Sequence, residues 1–318
     1  MYARTLSAAV AAALLLMPLV AAWGQGFPSK PVRIVTSPPG GGVDLAARLI
    51  SPGLSSALGQ QVVIENRGGI LSTQTVLKSP ADGYTLLLDG FTVWLLPLIR
   101  DDVAYDPIRD LAPVTLLASS PNMIVVHPSL PVKTVRDLIA VAKGRPGQLN
   151  YGSGSVGGAP HLAVELFKSM AGVNIVHVPY KGTARAITEL AGGQIQMMIT
   201  TVVSVAPHIK SGRLKALAVT SSQPSPLAPD VPTASATGLP GYESTSVYGM
   251  LAPAGTPPAV IARLSQEIAR ALSRPEVKDR MFDAGLETMG STPEELATVM
   301  RSDIAKWGKV IRDAGIRE

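Results

Sequence analysis

The chain has 318 residues, of which 46% are hydrophobic, 16% charged and only 4% aromatic, a composition that makes it globular and long enough for about two domains. Its formal charge of +5 comes from lysines and arginines scattered singly, without a basic stripe or an aromatic platform, which argues against nucleic acid and suits attraction of small anions. Cysteine is absent, which excludes disulfides, thiolate metal sites, a cysteine nucleophile and a lipidated cysteine.

The chain opens on "MYARTLSAAVAAALLLMPLVAAWGQG", with one basic residue, an apolar run from Ala8 to Val20, and small residues near Ala22 and Gly24. That layout predicts a signal peptide over residues 1–24, because Pro18 interrupts the run and leaves it short of the ~20 apolar residues that a membrane span needs. The expected location is the periplasm, without a lipid anchor. Strands are then expected at Val32–Thr36, Gln61–Glu65 and Tyr84–Leu88, with a helix from near Val43 between the first two. A second series follows: a strand at Met123–His127, a helix at Thr134–Lys143, a strand at Leu149–Tyr151 and a helix from Pro160 to Met170. It continues with strands at Val173–Val178, Ile195–Thr201 and Leu214–Thr220, separated by helices at Thr183–Leu190 and Val205–Ser211. Ser221–Tyr242 is rich in Pro, Ser, Ala and Gly and reads as a surface connection. A strand at Val247–Ala252 precedes a helical tail, in which Thr292 and Glu295 form a capping box around Pro293.

Strands alternating with helices imply α/β architecture with mostly parallel sheets flanked by helices. Tail helices without intervening strands must cover a sheet already made. The chain therefore goes out to a second lobe and returns: residues 27–118 with 250–318 form a discontinuous first lobe, and residues 119–249 the second. A cleft between two lobes is where a ligand binds.

Two glycine-rich loops precede helices in corresponding places. "SPPGGGVDLAARLI" (Ser37–Ile50) and "YGSGSVGGAPHLAVEL" (Tyr151–Leu166) each follow a strand and offer uncrowded N–H groups beside a helix N-terminus, a setting for an anion. Gly152, Gly154 and Gly157 match G-x-G-x-x-G, but the acidic residue expected about twenty positions on is missing, and the chain there ends in Lys181. A phosphate loop and a G-x-S-x-G elbow are both absent from the sequence. The four histidines show no metal-ligand spacing, so no metal and no cofactor is expected. Asp44 has two readings, a helix-dipole partner able to pair with Arg48 and a ligand contact. Lys181 faces either an anion or water, and His161 either contacts the ligand or simply hydrogen-bonds the loop.

The motifs "FPSKPVRIVTSPPGGGVDLAARLI", "LGQQVVIENR", "ADGYTLL", "NYGSGSVGGAPHLAVELF", "VPYKGTARAITELAGGQI", "LKALAVTS", "APDVPTASATGLPGYE" and "LAPAGTPP" together resemble the Bug receptor family, the periplasmic substrate-binding components of tripartite tricarboxylate transporters. The resemblance covers nearly the whole chain after residue 24, in order. It implies a two-lobed, flytrap-like periplasmic-binding-protein fold that captures a small organic acid and delivers it to membrane permease subunits as a monomer, with no catalysis. Carried over residue by residue, the first loop is Pro39, Gly40, Gly41, Gly42 and Asp44, and the second is Ser153, Gly154, Ser155, Gly157, Gly158 and His161. The "VPYKG" turn is Tyr180, Lys181, Gly182 and Thr183. Phe91, Thr200, Thr201 and Tyr248 lie at strand ends and are expected to read the rest of the ligand, Phe91 having core packing as its other role. The chain departs from the family pattern at Gly68–Ser72, at Gln196 and Thr200 where acids are usual, and at Tyr248 where tryptophan is common. A sensor kinase in place of a permease uses the same site, and an exported hydrolase built on Ser153 or Ser155 with His161 is the rival from another class.

Overall fold

The computed structural model describes residues 26–39, 42–68 and 70–317; the leader assigned to residues 1–24 lies outside them. The first series runs β1 (Val32–Thr36), α1 (Gly42–Leu58), β2 (Val62–Asn66), α2 (Ile70–Leu77), β3 (Thr85–Gly90) and the short α3 (Thr92–Leu95). A long strand β4 (Leu111–Val126) follows, then α4 (Val135–Gly144), β5 (Asn150–Ser153), α5 (Ala159–Ala171), β6 (Val176–Pro179) and α6 (Thr183–Ala191). The chain continues through β7 (Met197–Thr201), α7 (Val202–Lys210), β8 (Lys215–Val219), α8 (Ala234–Thr237) and β9 (Thr245–Pro253). It ends with α9 (Pro258–Ser273), α10 (Pro275–Asp283), the two-residue β10 (Glu287–Thr288) and α11 (Pro293–Asp313).

These strands form one mixed sheet in the order β2-β1-β3-β9-β4-β7-β5-β6, with β8 and β10 also paired to β4. The wings are parallel: β1 with β2 and β3, and β5 with β6 and β7. The centre is antiparallel, because a chain that leaves along one strand and returns along the next runs the opposite way. Leu111–Pro121 of β4 pairs with β9, and Asn122–Val126 pairs with β7. One strand thus serves both halves of the molecule. Its first half is missed by pattern reading because Pro113 and Pro121 punctuate it; register shifts between Pro113 and Thr115 and between Leu116 and Ala118 accommodate the irregularity. The tail is also not free of strands: β10 pairs Glu287 with Ser119 and Thr288 with Ala118, filling the edge of β4 that β9 leaves open.

Period-2 alternation decides which helix covers which face. Ile34, Leu86, Leu88 and Met250 meet α1, α9 and α10 in one apolar cluster, with Ile50, Leu54, Leu264, Ile268 and Met281 fully buried. Full burial of each Ile or Leu stabilises by roughly 1.5–3 kcal/mol. On the opposite face, Val35 and Leu87 share a cluster with Val76 of α2 and Leu296, Met300 and Trp307 of α11. The same cluster runs on to Ile124, Ile199, Leu162 and Phe167 in the other half. The capping box of α11 forms as its sequence implies: Glu295 N–H donates to Thr292 Oγ1 at 3.2 Å, and Thr292 N–H donates to Glu295 Oε2 at 2.8 Å.

Candidate binding site

Both glycine loops sit at the carboxyl ends of parallel strands, β1 and β5, which is where open α/β sheets bind ligands. Of the first loop, Pro39 is exposed, Gly40 and Gly41 lie outside the described residues, and Gly42 opens α1. Asp44 stands in the first turn of α1 and is 3% exposed. Its Oδ2 accepts from Arg48 Nε at 3.0 Å and its Oδ1 from Asn66 Nδ2 at 2.7 Å, while the same amide donates to the Ser37 carbonyl at 2.7 Å. Asp44 therefore ties the loop to β2.

Tyr248 reaches this loop from β9. A Cβ on Gly42 would lie 2.5 Å from the Tyr248 hydroxyl, so only glycine lets the ring approach the mouth of α1. The ring is 6% exposed, its hydroxyl has no hydrogen-bond partner among the described residues, and burial pushes its pKa up to about 12, with Asp89 adding to the effect. Thr36, the last residue of β1, is wholly buried with its Oγ1 unpartnered among the described residues.

The second loop is held from behind by aromatic and charged groups. Gly157 has φ +68°, a left-handed conformation that favours glycine, and its N–H donates to His161 Nδ1 at 2.9 Å. The His161 ring is 4% exposed and stacks on His177 with centroids 4.0 Å apart; His177 Nε2 lies 2.7 Å from Ser153 Oγ. Below them, Tyr151 Oη and Lys168 Nζ donate to Glu165 Oε1 at 2.5 and 2.6 Å. Burial first, and His177 second, lower the pKa of His161 to about 4; burial also lowers that of His177. His161 thus faces Gly157 and shapes the loop from inside. No acid stands in the first turn of α5, unlike α1, so the positive end of its dipole is uncompensated.

The "VPYKG" turn closes against the same loop. Tyr180 and Gly182 N–H groups donate to the carbonyls of Ser153 and Gly154 at 2.9 Å each. A Cβ on Gly154 would lie 2.5 Å from the Thr183 amide nitrogen, so glycine is required for this approach. Lys181 and Gly182 are exposed and Thr183 is half-buried. Thr200 is 1% exposed in β7, and Thr201 Oγ1 lies 2.8 Å from Ser204 Oγ. Ile99, from the segment after α3, packs where a Gly157 Cβ would be, 2.8 Å from its Cδ1, so the second loop touches the other half of the molecule here.

Phe91 belongs to the core: it is 3% exposed and stacks on Trp307 at 5.6 Å, because the side chain after β3 turns under α11. The hydrolase arrangement is not assembled. Ser153 Oγ is wholly buried and donates to the Ser155 carbonyl at 2.9 Å, and His161 is engaged with Gly157. Gln196, at one departure from the family pattern, accepts the Asn150 N–H at 2.8 Å and joins β5 to β7. Sequence reasoning missed Asp89, His177 and the Tyr151–Glu165–Lys168 group. Asp89 had a legible signal, an acid directly after "YTLLL"; the others are recognisable only once β5, β6 and α5 are side by side.

Two sheet halves joined through β4 and β9, with a helix-opening glycine loop on each, define a two-lobed solute-binding fold. The chain belongs to the tripartite tricarboxylate transporter receptors, the family whose profile matches residues 46–316. It is similar to Protein BugT of Bordetella pertussis, at 35% identity over 92% of this chain and 91% of that protein. An R. palustris protein solved with adipate superposes with a TM-score of 0.83 and 36% identity, covering 92% of this chain and 99% of the other. MatC of Rhodopseudomonas palustris with bound malate superposes at 0.77 with 30% identity, covering 90% and 100%.

Proposed function

We propose that this chain is an exported periplasmic receptor that captures a small carboxylate between its lobes and hands it to the membrane permease subunits of a tripartite transporter. The lobes are taken as residues 27–118 with 250–318, and residues 119–249. The observation that carries the reading is the Ser153–Gly158 loop: glycine backbone at the carboxyl end of β5 and the N-terminus of α5, braced by His161 and with no acid of its own in the first helical turn. The adipate and malate of the R. palustris neighbours support the carboxylate class.

Ligand contacts are assigned to Pro39, Gly40, Gly41, Gly42 and Tyr248 on one side, and to Ser153, Gly154, Ser155, Gly157, Gly158, the Tyr180–Thr183 turn, Thr200 and Thr201 on the other. Asp44 and His161 act one layer behind, holding the loops that make those contacts. Capture begins on the open form and ends with hinge rotation about β4 and β9 that closes both loops on the guest. Each hydrogen bond to the charged group contributes roughly 1.5–3 kcal/mol, so a few suffice for micromolar binding after the cost of association.

The test is native mass spectrometry of freshly purified protein for a retained acid, followed by thermal shifts against a broad panel of di- and tricarboxylates, hydroxy acids and amino acids. An acid at about 100 times its dissociation constant adds about 2.7 kcal/mol of stability. If no acid in the panel moves the midpoint, the carboxylate reading fails. Ligand-dependent capture of the permease subunits tests the partner.

A further inference from the structure

The end of β3 carries a carboxylate that the loops do not need. Asp89 follows Leu86, Leu87 and Leu88, all fully buried, and is itself partly exposed. No lysine, arginine or histidine forms an ion pair with it among the described residues. Its Oδ1 accepts from the Gly90 N–H at 2.7 Å and its Oδ2 from Ser72 Oγ at 3.3 Å. The titratable groups that sense its charge are the phenols of Tyr105 and Tyr248, which are neutral at physiological pH. Burial raises the pKa of Asp89 to about 6. A shielded carboxylate with no cation is unfavourable by itself, and a protein that keeps one has a use for the charge.

The surroundings indicate the use. The β3–β9 register pairs Gly90 with Tyr248, and the β1–β3 register pairs Thr36 with Leu88. Asp89 and Thr36 therefore lie at the carboxyl ends of two neighbouring strands, with Tyr248 alongside in β9; by the alternation of the sheet Thr36 and Tyr248 face α1 and Gly42, whereas Asp89 faces α2 through Ser72. Two of these groups lack any hydrogen-bond partner among the described residues, and the third repels anions when ionised. The α1 terminus already has Asp44 in its first turn, whereas the α5 terminus has no such acid. Asp44 is paired with Arg48, which leaves Asp89, among the described residues, as the carboxylate without a cation on that side of the cleft.

We infer that Asp89 is a specificity-determining residue: it reads a hydrogen-bond donor on the ligand, an amine or hydroxyl, while the carboxylate end lies toward Ser153–Gly158. The inference rests on the receptor reading and refines it, from small carboxylates at large to acids whose other end is a donor.

Isothermal titration of the full chain after residue 24 with two matched pairs decides the matter: succinate against 4-aminobutyrate, and adipate against 6-aminohexanoate. Wild type and Asp89→Asn are compared at about pH 8 and about pH 6, on either side of full ionisation of the carboxyl. In the wild type at the higher pH, the amine-ended acid of at least one pair is expected to bind about tenfold more tightly than its diacid. Asp89→Asn is expected to narrow that ratio about tenfold, and acidification to narrow it in the wild type but not in the variant. The ratio within a pair cancels effects common to both ligands, such as protonation of His161 and His177. The wild-type pH series stands even if the variant folds poorly. A ratio that neither the substitution nor pH changes overturns the inference while leaving the receptor reading intact. Failure of all four acids to bind the wild type also overturns it, and the broad panel then decides the receptor reading separately.

Discussion

Acid should loosen the second loop through one buried ring. His161 takes its proton near 4 in the fold instead of at 6.5, chiefly because it is buried and then because His177 stacks on it; Glu165 pulls the other way and Lys168 adds to the lowering. The unfolded chain binds that proton first as the pH falls. Stability contributed by the neutral ring is therefore fully present above about pH 6.5 and lost progressively down to about pH 4. The gap amounts to about 3 kcal/mol, with no discount for solvent because the ring is only 4% exposed. His161→Asn keeps an acceptor for the Gly157 N–H but cannot titrate in this range. Urea unfolding of both proteins from about pH 7 to about pH 4.5 should show the wild type losing 2–3 kcal/mol more than the variant, roughly, since carboxylate titrations are common to both. Parallel losses would refute the argument, because the ring would then titrate alike in folded and unfolded chains.

Other substitutions separate the loops' roles from packing. Gly154→Ala places a methyl 2.5 Å from the Thr183 amide nitrogen and 2.7 Å from Thr183 Oγ1. It should lower stability by about 1–3 kcal/mol in chemical denaturation and weaken ligand binding about tenfold or more in calorimetry. Gly42→Ala meets the Tyr248 hydroxyl at 2.5 Å, so a thermal double-mutant cycle with Tyr248→Phe should recover roughly 1 kcal/mol of coupling; strict additivity would rule out the contact. Asp44→Ala removes one acceptor each from Arg48 and Asn66, which keep their bonds to Asn66 Oδ1 and the Ser37 carbonyl, and should cost about 2 kcal/mol in denaturant unfolding, where a surface ion pair alone would cost well under 1. Phe91→Ala should cost about 3–5 kcal/mol by leaving a cavity under Trp307, with ligand affinity of the folded fraction unchanged by titration.

The strand and helix series was legible because local patterns report local structure. Val32–Thr36 is predicted and found with identical bounds, and the Thr292–Glu295 box caps its helix as its spacing implies. The family could be read from the ordered motifs, and both glycine loops from their composition. What pattern reading could not supply was the partner across space. Pro113 and Pro121 concealed half of β4, since a strand held by its neighbours tolerates residues that a lone strand would not. His161 kept two readings, ligand contact and loop brace, because its place in the helix is local information; its bond to Gly157 is equally local, whereas its stack on His177 depends on where β6 lies. Asp89 gained meaning only when the fold set Ser72 of α2 against it and brought no cation to pair with it among the described residues. Sequence by itself determined which segments become strands, helices and anion-holding turns, because those follow from side-chain period and backbone freedom within a few residues. Tertiary structure alone decided which groups are left without partners at the strand ends, because desolvation and hydrogen-bond satisfaction are sums over neighbours far apart in the chain.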